Sequence, residues 1–143
     1  MRIVVGGAGR KSGKTTLACR ILSLAHERRW TAVKISHHAP ESGAPYELLA
    51  EHEPGPVGDT RRYLAAGAAR AFWLRGDSER ALPELRALLD ASDNWIVEST
   101  RAIAWLEADA VLIAGSGPPP SDDELRALLR AGGQPDRKRQ PAR

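Results

Sequence analysis

The stretch AGRKSGKT, from Ala8 to Thr15, follows directly on the apolar run IVV of residues 3–5, which predicts a β-strand. Apart from the alanine in its first position, the stretch has the form Gly-x-x-x-x-Gly-Lys-Ser/Thr. In such a loop, successive backbone N–H groups surround a β-phosphate and the lysine reaches the β and γ oxygens. The alternative is a glycine-rich turn without a ligand. The candidate phosphate-binding residues are Gly9, Arg10, Lys11, Ser12, Gly13, Lys14, Thr15 and Thr16.

Apolar residues after this loop recur at helical spacing. Leu17, Ile21 and Leu24 are separated by three or four positions, so we expect a helix that runs to about Arg29. The positive N-terminal end of that helix would point at a bound phosphate. We expect the glycines at positions 6, 7 and 9 to supply the unusual backbone dihedrals of the loop.

The length of 143 residues fits one domain with a sizeable core and leaves no room for a second domain. The net charge is +3, and the segment from Asp136 to Arg143 accounts for all of it, with four basic residues against one acidic residue. We therefore predict a P-loop nucleotide-binding domain over residues 1–134 and a basic disordered tail over residues 135–143. A contact of this tail with nucleic acid or an acidic partner is the alternative, but no nucleic-acid binding is expected.

Cys19 is the single cysteine, so the chain cannot form an internal disulfide or a thiolate metal cluster. On the first helix it is expected to pack as a small buried residue. The first predicted strand begins within two residues of Met1, and no apolar run approaches ~18 residues. We expect a cytoplasmic protein that does not bind membranes.

Strand and helix patterns alternate along the rest of the chain. The polar, Pro- and Gly-rich stretch from Ser36 to Gly58 is too long for a simple connection and predicts a functional loop. The alternation predicts an α/β fold, a P-loop NTPase three-layer sandwich with a mostly parallel central sheet. Predicted strands cover 31–35, 69–74, 95–98 and 110–114; predicted helices cover 59–66, 82–91 with Pro83 in its first turn, 100–106, and a last helix opened by the capping box of Ser121 and Glu124.

Ligands bind at the carboxyl ends of the strands in such sheets. That edge would collect the phosphate loop together with His37, Asp59, Glu98 and the segment 115–116. His37 and His38 are suited to contact a γ-phosphate, and the alternative is that they are ordinary loop residues, since two residues are too few for a metal site.

Magnesium needs hard oxygen ligands, and three residues are placed to supply them. The Thr15 hydroxyl is a ligand candidate, and Asp59 and Glu98 are carboxylate candidates for the metal side of the site. With Lys14, which would neutralise the β and γ phosphates, the two carboxylates form the candidate catalytic set. The alternatives are a plain helix N-cap for Asp59 and a solvent-exposed charge at a strand end for Glu98.

Four segments together resemble the molybdopterin-guanine dinucleotide biosynthesis protein B (MobB) family, and the resemblance extends from about Ile3 to Ile113. The lysine followed by a histidine pair and the aspartate-led helix that ends in Ala-Gly-Ala are more specific than the phosphate loop. The segments are GKTTL at 13–17, VKISHH at 33–38, DTRRYLAAGA at 59–68 and IVE at 96–98.

This resemblance implies a GTP-binding P-loop protein, usually dimeric, that assists the enzyme attaching GMP to molybdopterin. The phosphate-loop residues from Gly13 to Thr16, the histidines, Asp59 and Glu98 match the family pattern position by position. The chain departs from it after Glu98, where Ser99-Thr100-Arg101 stands in place of the usual Gly-Phe-Lys. Loss of that glycine removes the flexibility with which a backbone N–H could turn onto a γ-phosphate.

The expected function is therefore Mg²⁺-dependent GTP binding with at most slow GTPase activity, by a homodimer whose partner is a molybdenum-cofactor nucleotidyltransferase. ATP stays possible, because no Asn/Thr-Lys-x-Asp guanine signature is present. Three alternatives stay open: a small-molecule kinase on the same fold, a P-loop metallochaperone that uses His37 and His38, and an interaction domain that has lost nucleotide binding.

Overall fold

A computed structural model describes residues 1–9 and 11–132 of the chain. The predicted tail over residues 135–143 and the candidate Arg10 lie outside the described residues. The described strands are β1 (Arg2–Gly7), β2 (Trp30–Ser36), β3 (Tyr46–Glu51), β4 (Arg70–Gly76), β5 (Asn94–Glu98) and β6 (Ala110–Ala114). The helices are α1 (Lys14–Leu24), α2 (Asp59–Ala65), α3 (Ser78–Asp90) and α4 (Asp122–Gly132), with a 3₁₀ turn at Arg101–Ala104.

The six strands form one sheet in the order β3-β4-β2-β5-β1-β6. Neighbouring strands are parallel except for the outermost strand β3, which runs antiparallel to β4. The prediction of an α/β fold with a mostly parallel sheet is confirmed. Because β1, β2, β4, β5 and β6 are parallel, their carboxyl ends lie at the same edge of the sheet.

Helices cover both faces of this sheet. On one face, Ile21 of α1, Tyr63 of α2 and Leu125 of α4 pack with strand residues such as Ile96. On the other face, Leu85 of α3 packs with strand residues such as Val97. A sheet covered on both sides requires continuous apolar strands, which explains the apolar runs in β1 and β5. The arrangement is compatible with a three-layer α/β sandwich.

Cys19 is half-buried on α1 and packs against the core. Burial raises the pKa of its thiol to about 11, so it stays protonated at neutral pH. Among the described helices, none combines the length and apolar character that crossing a bilayer requires.

The prediction that the whole segment from Ser36 to Gly58 is a loop is wrong. Residues Tyr46–Glu51 within it form the edge strand β3. The side chains of this strand are partly buried or exposed, and its sequence YELLAE shows no regular alternation of apolar and polar residues. It is held by backbone pairing to β4 and by an ion pair at 2.7 Å between Glu47 and Arg75, which stand opposite each other in the register.

The first helix ends at Leu24, earlier than the predicted Arg29. The backbone N–H of Arg28 and the indole N–H of Trp30 both donate to the Ala25 carbonyl, at 3.0 and 2.9 Å. These bonds turn the chain directly into β2, whose first residue is Trp30. Helical spacing in the sequence therefore continues for about one turn beyond the helix itself.

Two further helices differ from the prediction by several residues, whereas the bounds of the predicted strands and of α2 differ by at most two. The third helix begins at Ser78, because the Asp77 carboxylate caps it by accepting from the N–H groups of Glu79 and Arg80, so Pro83 lies in the second turn. The predicted helix over 100–106 is only the 3₁₀ turn Arg101–Ala104. The capping box of α4 is confirmed by reciprocal hydrogen bonds between Ser121 and Glu124.

Candidate functional site

The segment from Ala8 to Gly13, here called the glycine-rich loop, connects the end of β1 to the start of α1. Gly13 is the N-cap residue of α1 and has a φ of +90°, a left-handed conformation that glycine adopts without strain. Lys11 also has a positive φ, of 57°. The prediction that the glycines at positions 6, 7 and 9 supply the unusual dihedrals is wrong, because in the described part of the loop they are found at Lys11 and Gly13.

Gly7 has a different role, which is to make room for the loop. A Cβ at this position would lie 2.1 Å from the Ser12 hydroxyl oxygen and 2.7 Å from Cγ of Lys14. The loop therefore folds back over the end of β1, and the Ser12 hydroxyl is buried there without a hydrogen-bond partner among the described residues. A buried hydroxyl without a partner is costly, so this atom is suited to contact a ligand.

Glu98 lies at the end of β5 with 2% of its surface exposed. The hydroxyl of Thr15, at the start of α1, donates to Oε1 of Glu98 at 2.6 Å, and the Tyr63 hydroxyl donates to the same oxygen. The Lys34 ammonium donates to Oε2. The carboxylate is thus not a solvent-exposed strand-end charge, and it connects α1, α2, β2 and β5.

Sheet register brings Lys34 to Glu98. The two residues are direct partners in the β2–β5 pairing, and each stands two positions after a residue buried on the face that α1 and α2 cover, namely Ala32 and Ile96. Side chains two apart in a strand share a face, so both polar side chains extend along that face to its edge. Lys34 is the one charged residue of β2, and the sequence analysis quoted it only as part of the segment 33–38 and did not assign it to the site.

The Lys34 ammonium lies between two carboxylates, since it is also 3.1 Å from Oδ2 of Asp59. Burial acts to lower the pKa of Lys34, but its hydrogen bonds to Glu98 and Asp59 and their charges outweigh burial and raise the pKa. Lys34 is therefore charged at neutral pH. Asp59 is the first residue of α2 and Gly58 its N-cap, so Asp59 is not the plain N-cap of the alternative hypothesis.

Tyr63 is a site residue that the sequence analysis missed. Its side chain is 1% exposed on the inner face of α2. Burial, and then the charge of Glu98, raises its pKa well above the usual range, so its hydroxyl remains a hydrogen-bond donor. A tyrosine on the inner face of a short helix is usually a core residue, and sequence alone gives no reason to assign it to a site.

Three adjoining cavities lie along this edge of the sheet. The first, here called the loop cavity, has a volume of about 500 Å³. The second, the strand-end cavity, has about 470 Å³ and shares Lys14 and Lys34 with the first. The third, the proline-side cavity, has about 290 Å³ and lies against residues 117–120 on the far side of the loop.

Most predicted site residues meet at the loop cavity. His37 lies apart from them in the strand-end cavity, and Gly9 lines none of the three. Gly115 lines the proline-side cavity. A Cβ added to Gly115 would lie 3.0 Å from Cβ of Ser12. The loop cavity contains Lys11, Ser12, Gly13, Lys14, Thr15, Thr16, Asp59 and Glu98, together with Lys34 and Arg62, which were not predicted.

No protein-family model, no curated protein and no solved structure matches this chain. Within residues 1–9 and 11–132, no group of three or more His, Cys, Asp or Glu side chains stands together in a way that could hold a metal ion. His37 and His38 therefore have no such cluster around them in the described structure.

Replacing Tyr63 with phenylalanine tests the buried carboxylate cluster. We expect Tyr63→Phe to lower the free energy of unfolding by about 1.5–3 kcal/mol, because Glu98 loses a donor in a buried position. Tyr46→Phe is the matched control, since the Tyr46 hydroxyl donates to Glu84 at 2.7 Å on the surface and its loss should change stability much less. Urea denaturation measures both variants, and equal losses in the two would contradict this account of the cluster.

Proposed function

We propose that this chain is a P-loop nucleotide-binding protein that binds GTP with Mg²⁺ in the loop cavity. The observation that carries the proposal is the meeting of Lys14, Thr15, Asp59 and Glu98 around one cavity at the N-terminal end of α1.

Phosphate groups fit the glycine-rich loop on three grounds. The start of α1 carries no acidic residue in its first turn and no side-chain cap, so its N–H groups are open to an anion. Lys14 makes no ion pair with a described carboxylate. The unpartnered Ser12 hydroxyl adds a buried donor. Sequence motif and local geometry therefore favour the same ligand.

The residues present also suit a magnesium ion. Mg²⁺ in nucleotide sites is bound by one or two carboxylates, a hydroxyl and phosphate oxygens rather than by a cage of protein ligands. The Thr15 hydroxyl, Asp59 and Glu98 supply that donor set. The Lys34 ammonium is paired with both carboxylates but offsets only one of their two negative charges, so it would share them with the metal. When bound, the ion would neutralise charge on the phosphate oxygens.

The preference for GTP over ATP rests on the sequence resemblance to the MobB family. The proline-side cavity, which shares Ser12, Gly13 and Thr16 with the loop cavity, is the space that we assign to the base. Its other lining residues are Leu17 and Arg20 of α1 and the segment from Ile113 to Pro120, apart from Ser116.

Slow hydrolysis is expected because Ser99 is held in place after Glu98. Its backbone N–H donates to the Val5 carbonyl at 2.9 Å, and its hydroxyl accepts from the N–H of Ala102 at 3.2 Å. The backbone N–H of Ser99 is therefore not available to turn toward a terminal phosphate. Lys14, Asp59 and Glu98 are the proposed catalytic set, and an unassisted P-loop protein hydrolyses nucleotide slowly.

An accessory role follows from the same resemblance. We propose a cytoplasmic homodimer that presents bound nucleotide to a molybdenum-cofactor nucleotidyltransferase. A small-molecule kinase is the second candidate, and one observation favours it: the strand-end cavity lies beside Lys14, where an acceptor would have to bind. The metallochaperone alternative has no comparable observation among the described residues.

Lys14→Ala tests the phosphate site. We expect nucleotide affinity to fall by about tenfold or more, because a charge-assisted contact to phosphate contributes more than about 1.5 kcal/mol. Fluorescent GTP and ATP analogues, titrated with and without Mg²⁺, give the affinities and the base preference. Arg29→Ala is the control, since Arg29 is exposed at the opposite edge of the sheet. Unchanged affinity in folded Lys14→Ala would refute the assignment of the loop.

Asp59→Asn tests the metal side. We expect this variant to lose the Mg²⁺ enhancement of nucleotide binding while its unfolding free energy stays within about 1 kcal/mol of the wild type, because Asp59 is partly exposed and its pair with Lys34 is partly screened. Asp93→Asn is the control and should keep the full Mg²⁺ response, because Asp93 is exposed and directly precedes β5, at the end of the strands opposite the site. A stable Asp59→Asn variant with an intact Mg²⁺ response would show that Asp59 only neutralises Lys34.

A further inference from the structure

The strand-end cavity is the most basic of the three cavities along the sheet edge. Nine residues line it, of which three are lysine or arginine, two are histidine and none is acidic. It opens between the carboxyl ends of β2 and β5, with the His37–His38 pair on one side and Thr100 and Arg101 on the other. Its volume of about 470 Å³ lies within the ordinary range for small-molecule sites.

The positive charge of this cavity is only partly compensated. Lys34 is paired with Glu98 and Asp59, whereas Lys14 and Arg101 make no ion pair with a described carboxylate. Two uncompensated cations beside a histidine favour an anionic ligand. Arginine in particular suits phosphate, because its planar guanidinium donates two parallel hydrogen bonds to phosphate oxygens.

One wall of the cavity is held rigidly. The Trp73 indole N–H donates to the Ser36 hydroxyl at 2.7 Å, and Nδ1 of His38 lies 3.2 Å from the same hydroxyl. The rings of His38 and Trp73 also meet edge to face. This side of the cavity is therefore a formed surface rather than a loose loop.

We propose that the strand-end cavity binds a second ligand, a small phosphate-bearing molecule, with Arg101 and His37 as its binding residues. The placement rests on the proposed function, because the cavity shares Lys14 with the loop cavity and Lys14 would contact the terminal phosphate of the nucleotide. The second ligand would then lie next to that phosphate.

Titration with inorganic phosphate, followed by ¹H–¹⁵N NMR, tests the second site. The protein is first saturated with a non-hydrolysable GTP analogue and Mg²⁺, and the titration is repeated without nucleotide and with sodium chloride at equal ionic strength. We expect saturable shifts at the amides of His37 and Arg101 that chloride does not produce. Arg101→Gln should weaken phosphate binding about tenfold, whereas Arg29→Gln, at the opposite edge, should leave it unchanged.

The two proposals fail in distinguishable ways. If the analogue does not bind, the GTP function fails, and shifts of His37 and Arg101 in the nucleotide-free titration still support the anion site. If the analogue binds and phosphate gives no saturable shifts at these amides in the nucleotide-saturated protein, the second site is overturned. It is also overturned if Arg101→Gln binds phosphate as the wild type does, or if Arg29→Gln weakens binding equally.

Discussion

The buried carboxylate of Glu98 is the constraint on which the candidate site depends. A charged carboxylate inside a protein is costly unless it is paired and hydrogen-bonded. Here the Lys34 ammonium supplies the charge, while the hydroxyls of Thr15 and Tyr63 complete the donors. Each partner comes from a different element, so satisfying this one group fixes α1 and α2 against the strands that carry the site.

The same cluster also relates the fold to the proposed chemistry. Thr15 holds the start of α1 against the end of β5, and the glycine-rich loop ends where α1 begins. Lys34 offsets one of the two negative charges of Glu98 and Asp59. A ligand that brings its own cation would change this balance, so phosphate binding and metal binding are expected to be coupled through Lys34.

Local patterns were sufficient to predict the parallel strands, the alternation with helices and most of the residues that line the loop cavity, but not Lys34 or Arg62. Thr15 and Glu98 were chosen for their chemistry and are now seen in direct contact. Lys34 and Tyr63 could not be assigned in this way, because their roles depend on strand register and on the docking of α2. The edge strand β3 was missed since it is held by backbone pairing to β4 and leaves little apolar pattern in its side chains.

The central claim is that the loop cavity holds the phosphates of a nucleotide together with Mg²⁺. Isothermal titration of the wild-type chain with GTP, in the presence of Mg²⁺ and then of EDTA, tests it most directly. The account predicts saturable binding of one nucleotide per chain that weakens when Mg²⁺ is removed. Absence of saturable binding by folded protein, for GTP and ATP alike, would contradict it.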